Sequence, residues 1–132
     1  MATTKIDAAG AAKLKTLEEA LLLLQRLHGL VEQYALAVKR GQTTAALLMN
    51  LRRQFPTLAE NLKAHFQPIA DLVTATILSS TRGASEAVRV RNLREGVAQI
   101  RQSIDIAVTQ TRARHTVNEG SGQAGGAGDD AS

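Results

Sequence analysis

The chain has 132 residues, of which 44% are hydrophobic and 21% charged, and its formal net charge is +4. This length fits one domain, and the composition is typical of a globular protein. The absence of cysteine excludes a disulfide framework, a thiolate metal site and a cysteine nucleophile.

The first predicted helix starts at Thr16, after a flexible segment over residues 1–15. The letters TLEE resemble a capping box, in which Thr16 and Glu19 each bind a free backbone N–H. Apolar residues then recur at alternating spacings of three and four, which is a heptad pattern: Leu17, Ala20, Leu24, Leu27, Val31, Tyr34 and Val38. Gly41 is the expected end of this helix.

The middle of the chain keeps one apolar phase across two prolines. Its members are Leu47, Leu51, Phe55, Leu58, Leu62, Phe66, Ile69 and Val73. A proline inside a helix costs roughly 3 kcal/mol, so we expect a break before Pro56 and a restart capped by Thr57. Pro68 is followed by neither a cap nor a glycine, and we expect a kink there. The pattern predicts a short helix near 43–54 and a longer one near 57–79.

The last predicted helix runs from about Ser85 to His115. Its heptad positions are Val90, Leu93, Val97, Ile100, Ile104 and Ala107. Residues 117–132 are rich in glycine and poor in large apolar side chains, so we expect a disordered tail. The prediction is an all-α fold: an antiparallel bundle of three to four helices over residues 16–116, with its middle arm broken or kinked at Pro56 and Pro68.

Neither the histidines nor the loops indicate catalysis. His65 lies beside Phe66 at an apolar position, where we expect a partly buried side chain, and the lysine and glycine expected after a phosphorylated histidine are replaced by Pro68 and Ile69. Histidine phosphotransfer is therefore a third hypothesis only. No Glu-x-x-His pair, phosphate loop or nucleophile motif occurs. We expect no enzymatic activity, no metal and no cofactor.

The first helix has apolar residues on every side, which is unusual for a surface helix. Leu22, Gly29 and Leu36 lie opposite the heptad pattern, seven residues apart. A helix that is apolar all round is buried on several sides, and one small domain offers few helices to cover it. These three residues are the first candidates for contact with a protein partner or a second copy.

Arginines dominate the last predicted helix and give a second candidate surface. The last 14 residues contain three acids and no base, so the first 118 carry a formal charge of +7. Arg89, Arg94 and Arg101 could pair with acids on a partner or with phosphates. Aromatic residues for stacking are scarce, since the chain has one tyrosine and two phenylalanines, and this weakens a nucleic-acid role.

The leading hypothesis is a non-enzymatic helical protein–protein interaction module, a small subunit or adaptor of a larger assembly. The alternative is a nucleic-acid-associated protein that uses the arginine-rich helix. Unbroken apolar runs such as residues 20–24 are far shorter than the about 20 residues of a membrane span. The expected location is cytoplasmic, with the nucleus left open.

Overall fold

The structure is a computed structural model that describes residues 4–81 and 85–118. Its elements in chain order are β1 (Thr4–Ile6), α1 (Ala8–Lys39), α2 (Ala45–Lys63), α3 (Gln67–Thr81), α4 (Glu86–His115) and β2 (Thr116–Asn118). Each helix packs against its neighbours in sequence, and α1 packs against α4, so the four helices form a closed ring. This arrangement confirms the predicted all-α antiparallel bundle.

The heptad residues build the core. In α1 the side chains of Leu17, Ala20, Leu24, Leu27, Val31 and Tyr34 are at most 2% exposed. They meet Leu51, Phe55, Leu58 and Leu62 of α2, Val73 of α3, and Leu93, Ile100 and Ile104 of α4, all fully buried. The periodicity therefore identified the inward face of each helix correctly.

The helix start expected at Thr16 is wrong, because α1 begins at Ala8. Asp7 caps it by accepting a 2.7 Å hydrogen bond from the Gly10 N–H. That bond, with the nearby His115, lowers the pKa of the Asp7 carboxyl. Because Asp7 already caps the helix, the capping-box letters TLEE lie inside α1 rather than at its start.

Two short strands, which the sequence pattern did not predict, join the ends of the bundle. β1 and β2 pair antiparallel, with Ile6 opposite Thr116. Next to them, His115 Nδ1 lies 3.1 Å from Asp7 Oδ1, and its Nε2 lies 3.2 Å from Lys13 Nζ. A Cβ on Gly10 would overlap the Cβ of His115. Glycine is needed there because α4 ends directly against the start of α1.

The tail boundary expected at residue 117 is two residues early. Val117 and Asn118 belong to β2 and pair with Lys5 and Thr4. Residues 119–132, the remainder of the tail prediction, lie outside the described residues.

The predicted C-terminal end of α1 and the predicted start of α4 agree with the structure. Gly41 has φ +67°, and the N–H groups of Gly41 and Gln42 donate to the carbonyls of Val38 and Ala37. This is the Schellman arrangement, in which a left-handed glycine closes the last turn. At α4, the Ser85 hydroxyl accepts from the Val88 N–H and caps the helix.

The break expected before Pro56 is wrong, because α2 continues through Pro56 to Lys63. Pro56 and Arg52 are both exposed, so the Arg52 carbonyl that loses its helical donor can bind water. Continuing the helix keeps Phe55 and Leu58 fully buried, and burying such a side chain stabilises by about 1.5–3 kcal/mol. That gain in stability offsets the cost of a proline inside the helix.

The real break lies at residues 64–66, between α2 and α3. Pro68 is the second residue of α3, where its missing N–H would have had no helical acceptor. The Phe66 carbonyl accepts from Ile69 and Ala70, both at 3.0 Å, and starts the new helix. A helix start therefore replaces the kink expected at Pro68.

Replacing Pro56 tests this assignment. Pro56→Ala should raise the free energy of unfolding by about 2 kcal/mol, because it restores an interior helix hydrogen bond and removes a clash. Part of that gain is offset by the greater freedom of the unfolded chain. Urea unfolding followed by circular dichroism measures the change.

Thr57→Ala is the matched control for the Pro56 variant. Thr57 is exposed inside α2, so its loss should change stability by less than about 0.7 kcal/mol. A clear loss of stability in Thr57→Ala, with none gained in Pro56→Ala, would restore Thr57 as a cap and contradict the continuous α2.

Candidate protein interface

The outward side of α1 carries a line of exposed residues that we call the outer strip. Its members are Glu18, Leu22, Gln25, Gly29, Gln33, Leu36 and Arg40, and all seven are exposed. An α-helix turns by about 100° per residue, so the other six lie within about 40° of Gly29 around the helix axis. The buried heptad residues lie on the opposite side.

Two leucines make the outer strip apolar. Leu22 is 61% exposed and Leu36 is 45% exposed. Gly29 lies midway between them, and a Cβ built there would meet no atom within 4 Å. Gly96 on α4 differs, because a Cβ there would overlap the Thr76 side chain on α3. Gly96 is thus required by the bundle's own packing, whereas nothing in the described chain requires Gly29.

The bundle itself covers the flanks of α1. Leu21, Leu23, Leu30 and Ala35 are half-buried against the core. The sequence pattern overstated the exposed apolar surface, because it could not show how far α2 and α4 wrap around α1. The large apolar side chains of α1 that stay exposed are Leu22 and Leu36, both in the outer strip.

Other exposed apolar side chains in the described part of the chain are scattered. Met49, Leu78 and Ile106 are 49–60% exposed and stand on three different helices. Single exposed residues of this kind are ordinary in globular proteins. The outer strip differs because it aligns two leucines on one face with a glycine between them.

Arg94 is bound within the molecule. Its Nη2 and Nε donate to the two carboxylate oxygens of Glu32 on α1, at 2.7 and 2.9 Å. The hydrogen bond from Arg94, more than its charge, lowers the pKa of Glu32, and Glu32 raises the pKa of Arg94 in turn. This forked contact ties α4 to α1.

Arg89 is also an internal contact. Its Nε donates to the Ser80 carbonyl at 2.6 Å, and its Nη1 donates to the Tyr34 hydroxyl at 3.1 Å. Tyr34 itself is fully buried, so it is not available for stacking on a base. Of the three arginines predicted as partner contacts, Arg89 and Arg94 are therefore occupied in joining helices.

Arg101 is exposed and lines a groove of about 490 Å³ between α1 and α4. Its lining includes the apolar side chains of Leu21, Leu24 and Val97, together with Arg94 and Glu32. His28 also lines it, with Nε2 3.8 Å from Glu32 Oε2. The groove therefore combines apolar side chains with charges of both signs.

His65 does not have the environment expected for it. It is exposed in the turn between α2 and α3, with its ring edge-on to Phe66 at 6.3 Å, so the expectation of a partly buried histidine is wrong. Among the described residues, no group of three or more His, Asp or Glu side chains could hold a metal ion. Within residues 4–81 and 85–118, no helix has both the length and the apolar character to cross a bilayer.

Comparison of the chain with protein-family models, with curated proteins and with solved structures found no match. Function is therefore inferred from the residues and surfaces described above.

The contact between Glu32 and Arg94 gives a pH-dependent prediction. Since the pKa of Glu32 is lowered from 4.5 in the folded state, the pair stabilises the fold above that value. The stabilisation is lost as the pH falls through the lowered folded pKa. Both side chains are about half exposed, so Arg94→Gln should cost no more than about 1 kcal/mol at pH 7, and almost nothing near pH 2.

Urea unfolding at both pH values measures this difference. Arg101→Gln is the control on the same helix, and it should be neutral at both. If Arg94→Gln lowers the free energy of unfolding as much near pH 2 as at pH 7, the assigned ion pair is contradicted.

Proposed function

We propose that the protein is a non-enzymatic helical interaction module, a small subunit or adaptor that binds a protein partner through the outer strip of α1. The observation that carries this proposal is the exposure of Leu22 and Leu36, 61% and 45%, on either side of the open Gly29. A glycine at that position lets another backbone come close.

Physical chemistry supports a packed partner on this surface. Covering a leucine fully is worth about 1.5–3 kcal/mol, so two leucines supply a useful part of the about 8 kcal/mol of a micromolar complex. Exposed glutamine, glutamate and arginine side chains surround them, and an apolar centre with a polar rim is the usual composition of an interface. The cysteine-free composition is compatible with a cytoplasmic setting for such a subunit.

Binding of nucleic acid by α4 is the weaker candidate. Arg94 already bonds to Glu32, and Arg89 to Tyr34 and Ser80. Exposed Arg91, Arg101, Arg112 and Arg114 remain on α4. The one tyrosine, Tyr34, is buried, and Phe66, which lines a pocket with Arg114, is itself half-buried. A protein partner for α1 accounts for more of the exposed features.

The test replaces both leucines of the outer strip with glutamate. Leu22→Glu with Leu36→Glu should remove the chain from its complex, because an unpaired carboxylate buried in an apolar contact costs several kcal/mol. The helical circular dichroism should not change, since both positions are exposed within one chain. The tagged chain is purified from its own cells under native conditions, and the mass of the complex that contains it is measured.

Met49→Glu with Ile106→Glu is the matched control, because these side chains are equally exposed on other helices. This control should keep the complex. A wild-type chain that is monomeric in cell extract, or a complex that both double variants retain, would overturn the proposal.

A further inference from the structure

We propose that the outer strip binds a second copy of this chain, with the two α1 helices antiparallel and related by a two-fold axis through Gly29. This inference rests on the proposed function, since it names the partner of the same surface. In a two-fold interface each contact occurs twice, and the surface must complement itself. The residues on either side of Gly29 meet that requirement.

A two-fold axis through Gly29 pairs each residue before it with the residue equally far after it. The outer strip has spacings of 4, 3, 4, 4, 3 and 4, so it reads the same in both directions. Leu22 then faces Leu36 of the second copy, and Gln25 faces Gln33. Both pairs match in chemical character, and the two Gly29 backbones meet at the centre with no side chain to keep them apart.

The ends of the outer strip match in charge. Glu18 lies eleven residues before Gly29 and Arg40 eleven after it, so the axis pairs carboxylate with guanidinium. Glu19 and Lys39 lie on opposite flanks of the strip, each about 80° from Gly29 around the helix. The antiparallel pairing therefore brings Glu19 beside Arg40, and Lys39 beside Glu18, of the second copy. All four side chains are exposed, and opposite charges across an interface set its orientation and suppress other partners.

These charged side chains are free for such contacts. Among the described residues, Glu18, Lys39 and Arg40 have no side-chain ion pair or hydrogen bond, and Glu19 accepts one long bond of 3.5 Å from Asn61 Nδ2.

The charge pattern also selects the orientation. A parallel pairing in register would place Glu18 against Glu18 and Arg40 against Arg40, which repel. The antiparallel pairing turns every one of these contacts into an attraction. From Glu18 to Arg40 the outer strip extends about 33 Å, long enough for six helical turns of contact.

Charge reversal in separate chains tests the pairing. One variant carries Glu18→Lys with Glu19→Lys, and the other carries Lys39→Glu with Arg40→Glu. Each purified alone should lose self-association, with the dimer dissociation constant raised at least about tenfold, because its reversed end faces like charge on the second copy. Mixing the two should restore a dimer of wild-type affinity, since every end contact is again of opposite sign.

Sedimentation equilibrium of the full chain over a range of concentrations measures these constants, and circular dichroism checks that each variant is folded. Arg52→Glu with Arg53→Glu is the charge-matched control on the exposed side of α2. It should dimerise as the wild type does.

Three results would overturn the inference. They are a wild-type chain that stays monomeric at about 100 µM, unchanged dimers in both charge variants, and variants that fail to recover on mixing. Failure here is separable from failure of the proposed function. A purified monomer that still enters a larger complex in cell extract through Leu22 and Leu36 removes the self-pairing and keeps the interaction module.

Discussion

The packing of the α1 heptad face between α2 and α4 determines the rest of the molecule. Six side chains from Leu17 to Tyr34 are almost completely excluded from water, and they fix the rotation of α1 about its own axis. Once that face is buried, the residues half a turn away must point outward. The exposure of Leu22, Gly29 and Leu36 is thus a consequence of the core.

The contacts across helices then lock this rotation. Arg94 donates a hydrogen bond to Glu32 near the middle of α1, and Arg89 donates one to the Tyr34 hydroxyl nearer the C-terminal end of α1. At the other end, His115 lies against Asp7 and Gly10, and β1 pairs with β2. These polar contacts oppose a rotation of α1 about its own axis, which would bury the outer strip. A helix held in this way presents a rigid surface, which lowers the entropy lost on binding.

Sequence periodicity was sufficient for the architecture, because burial of a helix face repeats every three to four residues. It predicted the core of all four helices and the ends at Gly41 and Ser85. It failed where a local signal competed with tertiary packing. The proline at position 56 was outweighed by the burial of Phe55 and Leu58, and the letters at Thr16 were bypassed because Asp7 supplies an earlier cap.

The candidate interface was predictable in part, for the same reason. The phase of Leu22, Gly29 and Leu36 follows from the heptads, so their outward position could be derived. The engagement of Arg89 and Arg94 could not, because their partners on α1 lie more than forty residues away in sequence. Nor could the pattern show that Leu21 and Leu30 are half-covered, since that depends on the spacing between helices.

Disulfide trapping tests the paired outer strips most directly, since the chain has no cysteine of its own. In a two-fold pair, Gly29→Cys places the new thiol next to its own copy, within the separation of about 4–7 Å between Cα atoms that a disulfide spans. Leu22→Cys places it about 21 Å from its copy along the helix, but next to the new thiol of a chain carrying Leu36→Cys. Under mild oxidation we expect covalent dimers from Gly29→Cys alone, and from Leu22→Cys only when it is mixed with Leu36→Cys. Equal cross-linking of Leu22→Cys alone, or none from Gly29→Cys at concentrations where the wild type self-associates, would contradict the two-fold pairing.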